Sequence, residues 1–312
     1  MPFITGSANS MAQLQTALFN GLVANGWTLA GNVIYKGDTY IEVTIPTGES
    51  QGENRMLRFL GGNSQAGGVL GDVAPVGPRI GAAKNTTWAW PVSYNLHIFT
   101  APDEVYLKIR RDLNHYQFVA FGKSDVKGLP GNDIWVTATH SDRDSTEDIL
   151  GITSSGNSTD GAGNWRGSQA PFWGGNGLTF GLPYESVVLH SGLDAVGWWQ
   201  GSGAGGTLGN LNAAQMVSPH LDRSPNAWNG EAPLLPIQPF VLRPSNKLSI
   251  VADLAHARFL RIDNYSPEEI IDLSPDYWMV YPFRSKNITE RDGGQGLTHT
   301  GTFGWAIRYD GP

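Results

Sequence analysis

Several groups of residues in this chain have types and spacings that chemistry uses. Gly201-Ser202-Gly203-Ala204-Gly205-Gly206 has the spacing of a dinucleotide-binding turn. Such a turn needs a strand before it and a helix opening at its last glycine to receive pyrophosphate. Thr207-Leu208-Gly209-Asn210 follows instead and opens no helix, so the tract reads as a linker. Gly48-Glu49-Ser50-Gln51-Gly52 has nucleophile-elbow spacing, which works between a buried strand and a helix. Here Pro46 precedes it and Glu53-Asn54-Arg55 follows, the setting of a plain loop. Asp142 and Asp144 begin like a calcium loop, with acids at alternate positions. Ser145-Thr146-Glu147 breaks the alternation and, with Asp148, leaves a solvated acidic turn.

The histidines stand at 97, 115, 140, 190, 220, 256 and 299, and no two have the three-to-five spacing of a local metal pair. His97 and His115 are expected on neighbouring strands, where packed or solvated side chains account for them without a metal. Glu268-Glu269 and Asp272 offer the paired carboxylates of glycoside hydrolysis. Adjacent residues on a strand point to opposite faces, so these two glutamates do not converge. The residues therefore assign no catalytic group, no metal site and no cofactor.

The aromatic side chains carry more. Trp88, Trp90, Trp165, Trp173, Trp198, Trp199 and Trp228 sit in or beside predicted loops. Exposed tryptophan stacks on sugar rings or anchors a protein interface. Buried tryptophan plugs the ends of small β-cores, and the residues alone leave both readings open. The expected contact residues are Trp165, Phe172, Trp173, Trp198, Trp199 and Trp228.

The elements that must position these residues are mostly strands. Between Tyr94 and Val126, Leu96/Ile98, Val105/Leu107/Ile109 and Tyr116/Phe118/Ala120 alternate with their neighbours across turns at Ala101-Pro102-Asp103-Glu104 and Arg111-Asp112-Leu113-Asn114. Period-two alternation bounded by such turns predicts an antiparallel meander with one buried face. Met11, Leu14, Leu18 and Leu22 predict one amphipathic helix within 8–25, capped by Ser7 or Ser10 and stopped at Asn25-Gly26. The fold class is mainly β, an antiparallel meander or sandwich-like arrangement, with that single N-terminal helix and long Gly/Pro-rich loops. The expected organisation is a helix plus β-domain over 1–140, a Gly/Trp-rich arm and connecting region over 141–232, and a C-terminal β-domain over 233–312. A loose echo links the strand-rich stretches 94–138 and 248–309.

Composition narrows the function classes. The chain has 312 residues, 40 Gly, 19 Pro, 11 Trp and only 16% charged residues, where globular domains carry about 25%. No cysteine is present, which removes disulfides, thiolate zinc sites and cysteine nucleophiles together. Net charge is -7 with scattered Lys and Arg, so nucleic acid is not an expected partner. The N-terminus lacks the basic and apolar segments of a secretory signal, and no apolar run reaches the roughly 20 residues of a membrane span.

As a whole the chain resembles tailed-bacteriophage virion structural proteins of the tail, baseplate and neck. The resemblance lies in the helix ending Ala24-Asn25-Gly26-Trp27, in the meander strands, and in the C-terminal Gly301-Thr302-Phe303-Gly304-Trp305-Ala306-Ile307-Arg308-Tyr309. It covers about half the chain, leaves 141–230 unmatched, and transfers no functional residue. It implies a non-enzymatic virion component, of the tail or baseplate, made in a bacterial cytoplasm. Such a component contacts other virion proteins and copies of itself through its loops and arms. The alternatives are a carbohydrate or host-surface receptor-binding module of a phage tail, and a capsid or neck decoration protein. A glycan-active enzyme would need convergent carboxylates in a groove.

Overall fold

The computed structural model describes residues 2–47, 55–82, 88–113, 115–139, 172, 187–200, 211–213, 216–217, 220–221, 223–243, 247–283, 286 and 303–311. The fold is mainly antiparallel β, with one α-helix of 13 residues near the N-terminus. Strand β1 (Phe3–Ala8) leads into helix α1 (Met11–Val23). Ser10 caps the helix by accepting a hydrogen bond from the Gln13 N–H, and Gly26, at φ 84°, turns the chain out of it. Six strands follow: β2 (Thr28–Ala30), β3 (Val33–Lys36), β4 (Thr39–Thr44), β5 (Met56–Ala66), β6 (Val69–Val73) and β7 (Arg79–Gly81). They form one sheet in the order β2-β3-β4-β5-β6, with β7 also paired to β5.

The next six strands are β8 (Val92–Thr100), β9 (Asp103–Arg110), β10 (Tyr116–Lys123), β11 (Ile134–Ala138), β12 (Val187–His190) and β13 (Trp198–Gln200). With β1 at the edge they make a seven-stranded sheet, β1-β8-β9-β10-β11-β12-β13. The rest of the chain adds β14 (Leu211–Asn212), β15 (Leu235–Pro236), β16 (Phe240–Arg243), β17 (Lys247–Ile250), β18 (Ala257–Arg261), β19 (Ile270–Leu273), β20 (Asp276–Pro282) and β21 (Phe303–Arg308). Five of these form a sheet in the order β15-β18-β21-β20-β19, and β14-β16-β17 form a smaller one.

The meander is present, but both of its faces are buried, not one. Val105, Leu107 and Ile109 of β9 pack with Leu14, Leu18 and Leu22 of α1 and with Ile41 and Phe59 of the six-stranded sheet. Tyr106 on the opposite face, with Phe118 and Ala120 of β10, packs with Phe259, Tyr281 and Trp305 of the five-stranded sheet. The seven-stranded sheet is therefore the middle of three β-layers. Lys108, His97 and Gln117 look like solvent positions in the alternation, and Glu104 reads as a turn residue, yet each is buried because another sheet covers it.

The core does not divide at 140 or at 233. Strands β12 and β13 complete the sheet begun by β1 and β8, and one hydrophobic cluster draws on residues from Phe99 to Tyr309. The two strand-rich stretches that echo each other in sequence face one another as layers of that cluster. His97 and His115 are not on neighbouring strands. β9 lies between β8, which carries His97, and β10, which begins just after His115.

One polar group ties two layers together, and a second fixes the entry to β11 within the central sheet. The side-chain amide of Gln117 donates to the Gly81 carbonyl at 2.9 Å and accepts from the Gly81 N–H at 2.8 Å, fastening β7 to β10. Asp133, at φ 58°, enters β11 with its N–H donating to the His190 carbonyl and its carbonyl accepting from the Ser124 N–H. Its Oδ1 is buried without a hydrogen bond, and burial pushes the carboxyl up from the usual 3.8 to about 6. The folded value lies above the unfolded one. The stability tied to this group is thus complete below pH 3.8 and lost as pH rises through 6. Asp133→Asn keeps a residue that tolerates positive φ and removes the buried charge. Thermal melts are expected to show the variant more stable than wild type at about pH 8 and level with it below about pH 4. An equal shift at both values would contradict this cause.

Candidate functional site

The six expected contact residues separate into three groups. Phe172, Trp198 and Trp199 are buried, so the expectation of surface contact is corrected for them. Phe172 meets Trp135 edge-on at 6.0 Å. Trp198 lies so close to Gly61 that a Cβ there would come within 2.8 Å of its ring, and its indole N–H donates to the Asp72 carbonyl at 2.9 Å. Trp199 belongs to the core on the other face of the same sheet. The Trp198-Trp199 pair stands in a predicted strand beside a Gly-rich loop, and alternation on the short edge strand β13 sends one indole into each inter-sheet core. Trp165 and Trp173 lie outside the described residues.

Trp228 is the exception, being 95% exposed. A large apolar side chain in water needs a reason, and the loop that carries it is braced from within. The Asn226 N–H donates to the Glu231 carbonyl at 2.7 Å and the Gly230 N–H to the Asn226 carbonyl at 2.8 Å. Asn226 Oδ1 accepts from the Trp228 N–H at 2.9 Å, and Asn229 Oδ1 accepts from the Glu231 N–H at 3.1 Å. Asn264 Nδ2 ties the loop to the body by donating to the Gly230 carbonyl at 3.0 Å. Gly230 supplies the φ of 75° that closes the turn. The indole thus projects from a backbone already fixed, the condition under which an aromatic anchor binds at low entropic cost.

Other apolar side chains are exposed at sheet margins. Val69 and Val73 stand on β6, the last strand of the six-stranded sheet. Ile270 and Leu273 stand on β19, the last strand of the five-stranded sheet, with Tyr277 on the paired β20. Edge strands of this kind are templates for pairing with another chain unless charge or cover blunts them.

Between the central and C-terminal sheets runs a polar layer within an aromatic core. Glu104 accepts four hydrogen bonds, from the N–H groups of Ala255 (2.9 Å) and His256 (3.0 Å), from Tyr106 Oη (2.8 Å) and from His256 Nδ1 (2.8 Å). Burial, with Glu104 alongside, raises the Tyr106 phenol well above its usual value and keeps it a donor. Lys108 donates to the Pro282 carbonyl at 3.1 Å, and its Nζ lies about 5 Å from the ring centres of Phe118, Tyr281 and Trp305. No carboxylate pairs with it among the described residues, and burial pushes its amine well below the ordinary lysine value. His97 bonds Tyr281 Oη at 2.8 Å and is held down to about 3 by burial and then by the nearby Lys108.

None of the chemistry-bearing motifs converges on a described site. The dinucleotide-like tract 201–206, the elbow-like 48–52 and the acidic run 142–148 lie outside the described residues. Glu269 turns back to accept from the Ser266 N–H at 2.7 Å, while Glu268 sits at φ 66° in the same turn. No group of three or more His, Asp or Glu among the described residues could hold a metal ion. No helix among the described residues is long and apolar enough to cross a membrane. No family model matches the chain, and no curated protein matches it.

Proposed function

We propose that this protein is a non-enzymatic structural component of a tailed-bacteriophage virion, of the tail or baseplate, which assembles in several copies through loop and edge contacts. The observation that carries the reading is Trp228, 95% exposed on a loop held by its own hydrogen bonds. Exposed apolar residues on β6 and β19 support it, because they offer backbone pairing as well as side-chain contact. The resemblance of the helix, meander and C-terminal strand to virion proteins supplies the kind of assembly.

Removing the anchor separates contact from folding. Trp228→Ala is expected to leave the unfolding free energy within about 0.5 kcal/mol of wild type, since the side chain is in water. It is expected to weaken association with itself or with particle proteins by about tenfold or more. Sedimentation velocity across a concentration series, with and without purified particles, measures this. A variant that associates as well as wild type contradicts the reading. A variant that loses only glycan-array binding transfers the surface to the receptor-binding alternative.

A further inference from the structure

The geometry points to a second binding site, for a neutral hydroxylated ligand of about one sugar ring, in the cleft where the β8–β9 turn meets the ends of β18 and β21. The cleft measures about 250 Å³ and is lined by Phe99, Thr100, His256, Arg308 and Asp310 among others. That is below the roughly 300–1,000 Å³ of pockets for drug-sized ligands, and suits a single ring. The site is built from elements other than the Trp228 loop and does not rest on the assembly reading.

Three features make the cleft a place for hydroxyl groups. First, the His256 imidazole is held from behind. Its Nδ1 bonds the fully buried Glu104, and its ring stacks on Phe99 with centroids 3.9 Å apart and planes 18° from parallel. With Nδ1 occupied, Nε2 is the ring atom left for a ligand. Second, the Arg308 Nε–H is buried without a hydrogen-bond partner. Asp310 Oδ1 lies 3.5 Å from it, beyond good hydrogen-bond length, while Nη2 is engaged by Asp276 at 2.8 Å. A buried donor left unmade is costly, and a ligand oxygen would satisfy it. Third, the Thr100 hydroxyl and the Asp310 carboxylate add groups that donate and accept beside apolar Phe99.

Charge selects among ligands. An anion would meet Arg308 already shared between Asp276 and Asp310, with Glu104 behind His256. A cation would find no unengaged carboxylate, since Asp276 and Asp310 pair with Arg308 and Glu104 bonds His256. A vicinal diol meets neither penalty, because each hydroxyl both donates and accepts, and its C–H face covers the apolar wall.

The test is titration of the intact protein with a panel of neutral hexoses and N-acetylhexosamines, reading the His256 ring nitrogens by long-range proton–nitrogen correlation. Inorganic phosphate and methylammonium serve as charged probes. At least one neutral sugar is expected to shift the His256 signals with a Kd in the range of about 1–10 mM. Arg308→Met and Asp310→Asn change partly exposed side chains and are expected to weaken that binding by about tenfold each. Trp228→Ala is expected to leave it unchanged. The proposal is overturned if no neutral sugar shifts His256 at about 50 mM. It is equally overturned if the shift survives both cleft variants, or if phosphate or methylammonium binds there more tightly than every neutral sugar.

Discussion

Glu104→Ala is expected to lower the unfolding free energy by about 3–5 kcal/mol in a urea titration. The carboxylate is the common acceptor for two backbone N–H groups, a phenol and an imidazole. It reaches from β9 in the central sheet to the segment that enters β18 in the C-terminal sheet. Truncation leaves four donors buried together, and water can reach few of them, because Glu104 and Tyr106 are both fully buried. Glu104→Gln keeps one acceptor oxygen but sets an NH2 group against donors, so it is expected to recover only part of the loss. Near-ultraviolet circular dichroism should report loosening of the aromatic layer around Trp305. A loss below about 1 kcal/mol for the alanine variant would mean that this polar junction does not hold the sheets together.

Lys108→Met is expected to act in the opposite direction, stabilising the protein by about 1–3 kcal/mol at about pH 6. Methionine fills the same channel between Phe118, Tyr281 and Trp305 and gives up one hydrogen bond, to the Pro282 carbonyl. What it removes is the cost of burying an amine with no anionic partner among the described residues. The sign follows from the depressed folded value. Between that value and the unfolded one near 10.5 the unfolded chain binds more protons, so wild-type stability rises with pH across the interval. The advantage of methionine should therefore be largest on the acid side and shrink toward about pH 10. Lys108→Ala separates charge from packing, since its cavity is expected to cost about 2–4 kcal/mol. A methionine variant that is less stable than wild type at every pH would contradict this.

The sequence carried the strands of the central meander, because β8, β9 and β10 alternate cleanly between turn residues. It carried the helix equally well, through Met11, Leu14, Leu18 and Leu22. It did not reveal that the meander is covered twice. Glu104, Lys108 and His97 count as polar in a pattern, and their burial depends on partners far along the chain, such as His256, Pro282 and Tyr281. β1 has no local signal for a related reason: Phe3-Ile4-Thr5-Gly6-Ser7-Ala8 is a short strand that becomes regular by pairing with β8.

The contact residues were legible only in part. Loop-like surroundings placed Trp198, Trp199 and Phe172 at the surface, whereas neighbouring sheets enclose them. The local signal that distinguishes Trp228 was present, in asparagines on both sides and a glycine two residues on, the composition of a tight turn that leaves its tip in water. The cleft beneath His256 had no local signal. Its central pair, Glu104 and His256, is 152 residues apart and is joined by the packing of one sheet on another.

Oxidative footprinting of Trp228, in the free protein and in purified particles that contain it, tests the assembly reading most directly. The account predicts an indole that is readily oxidised in the free chain, as its 95% exposure requires, and protected in the particle, with several copies of the chain in each. A chain absent from particles, or a Trp228 that oxidises there as fast as in the free protein, would contradict it.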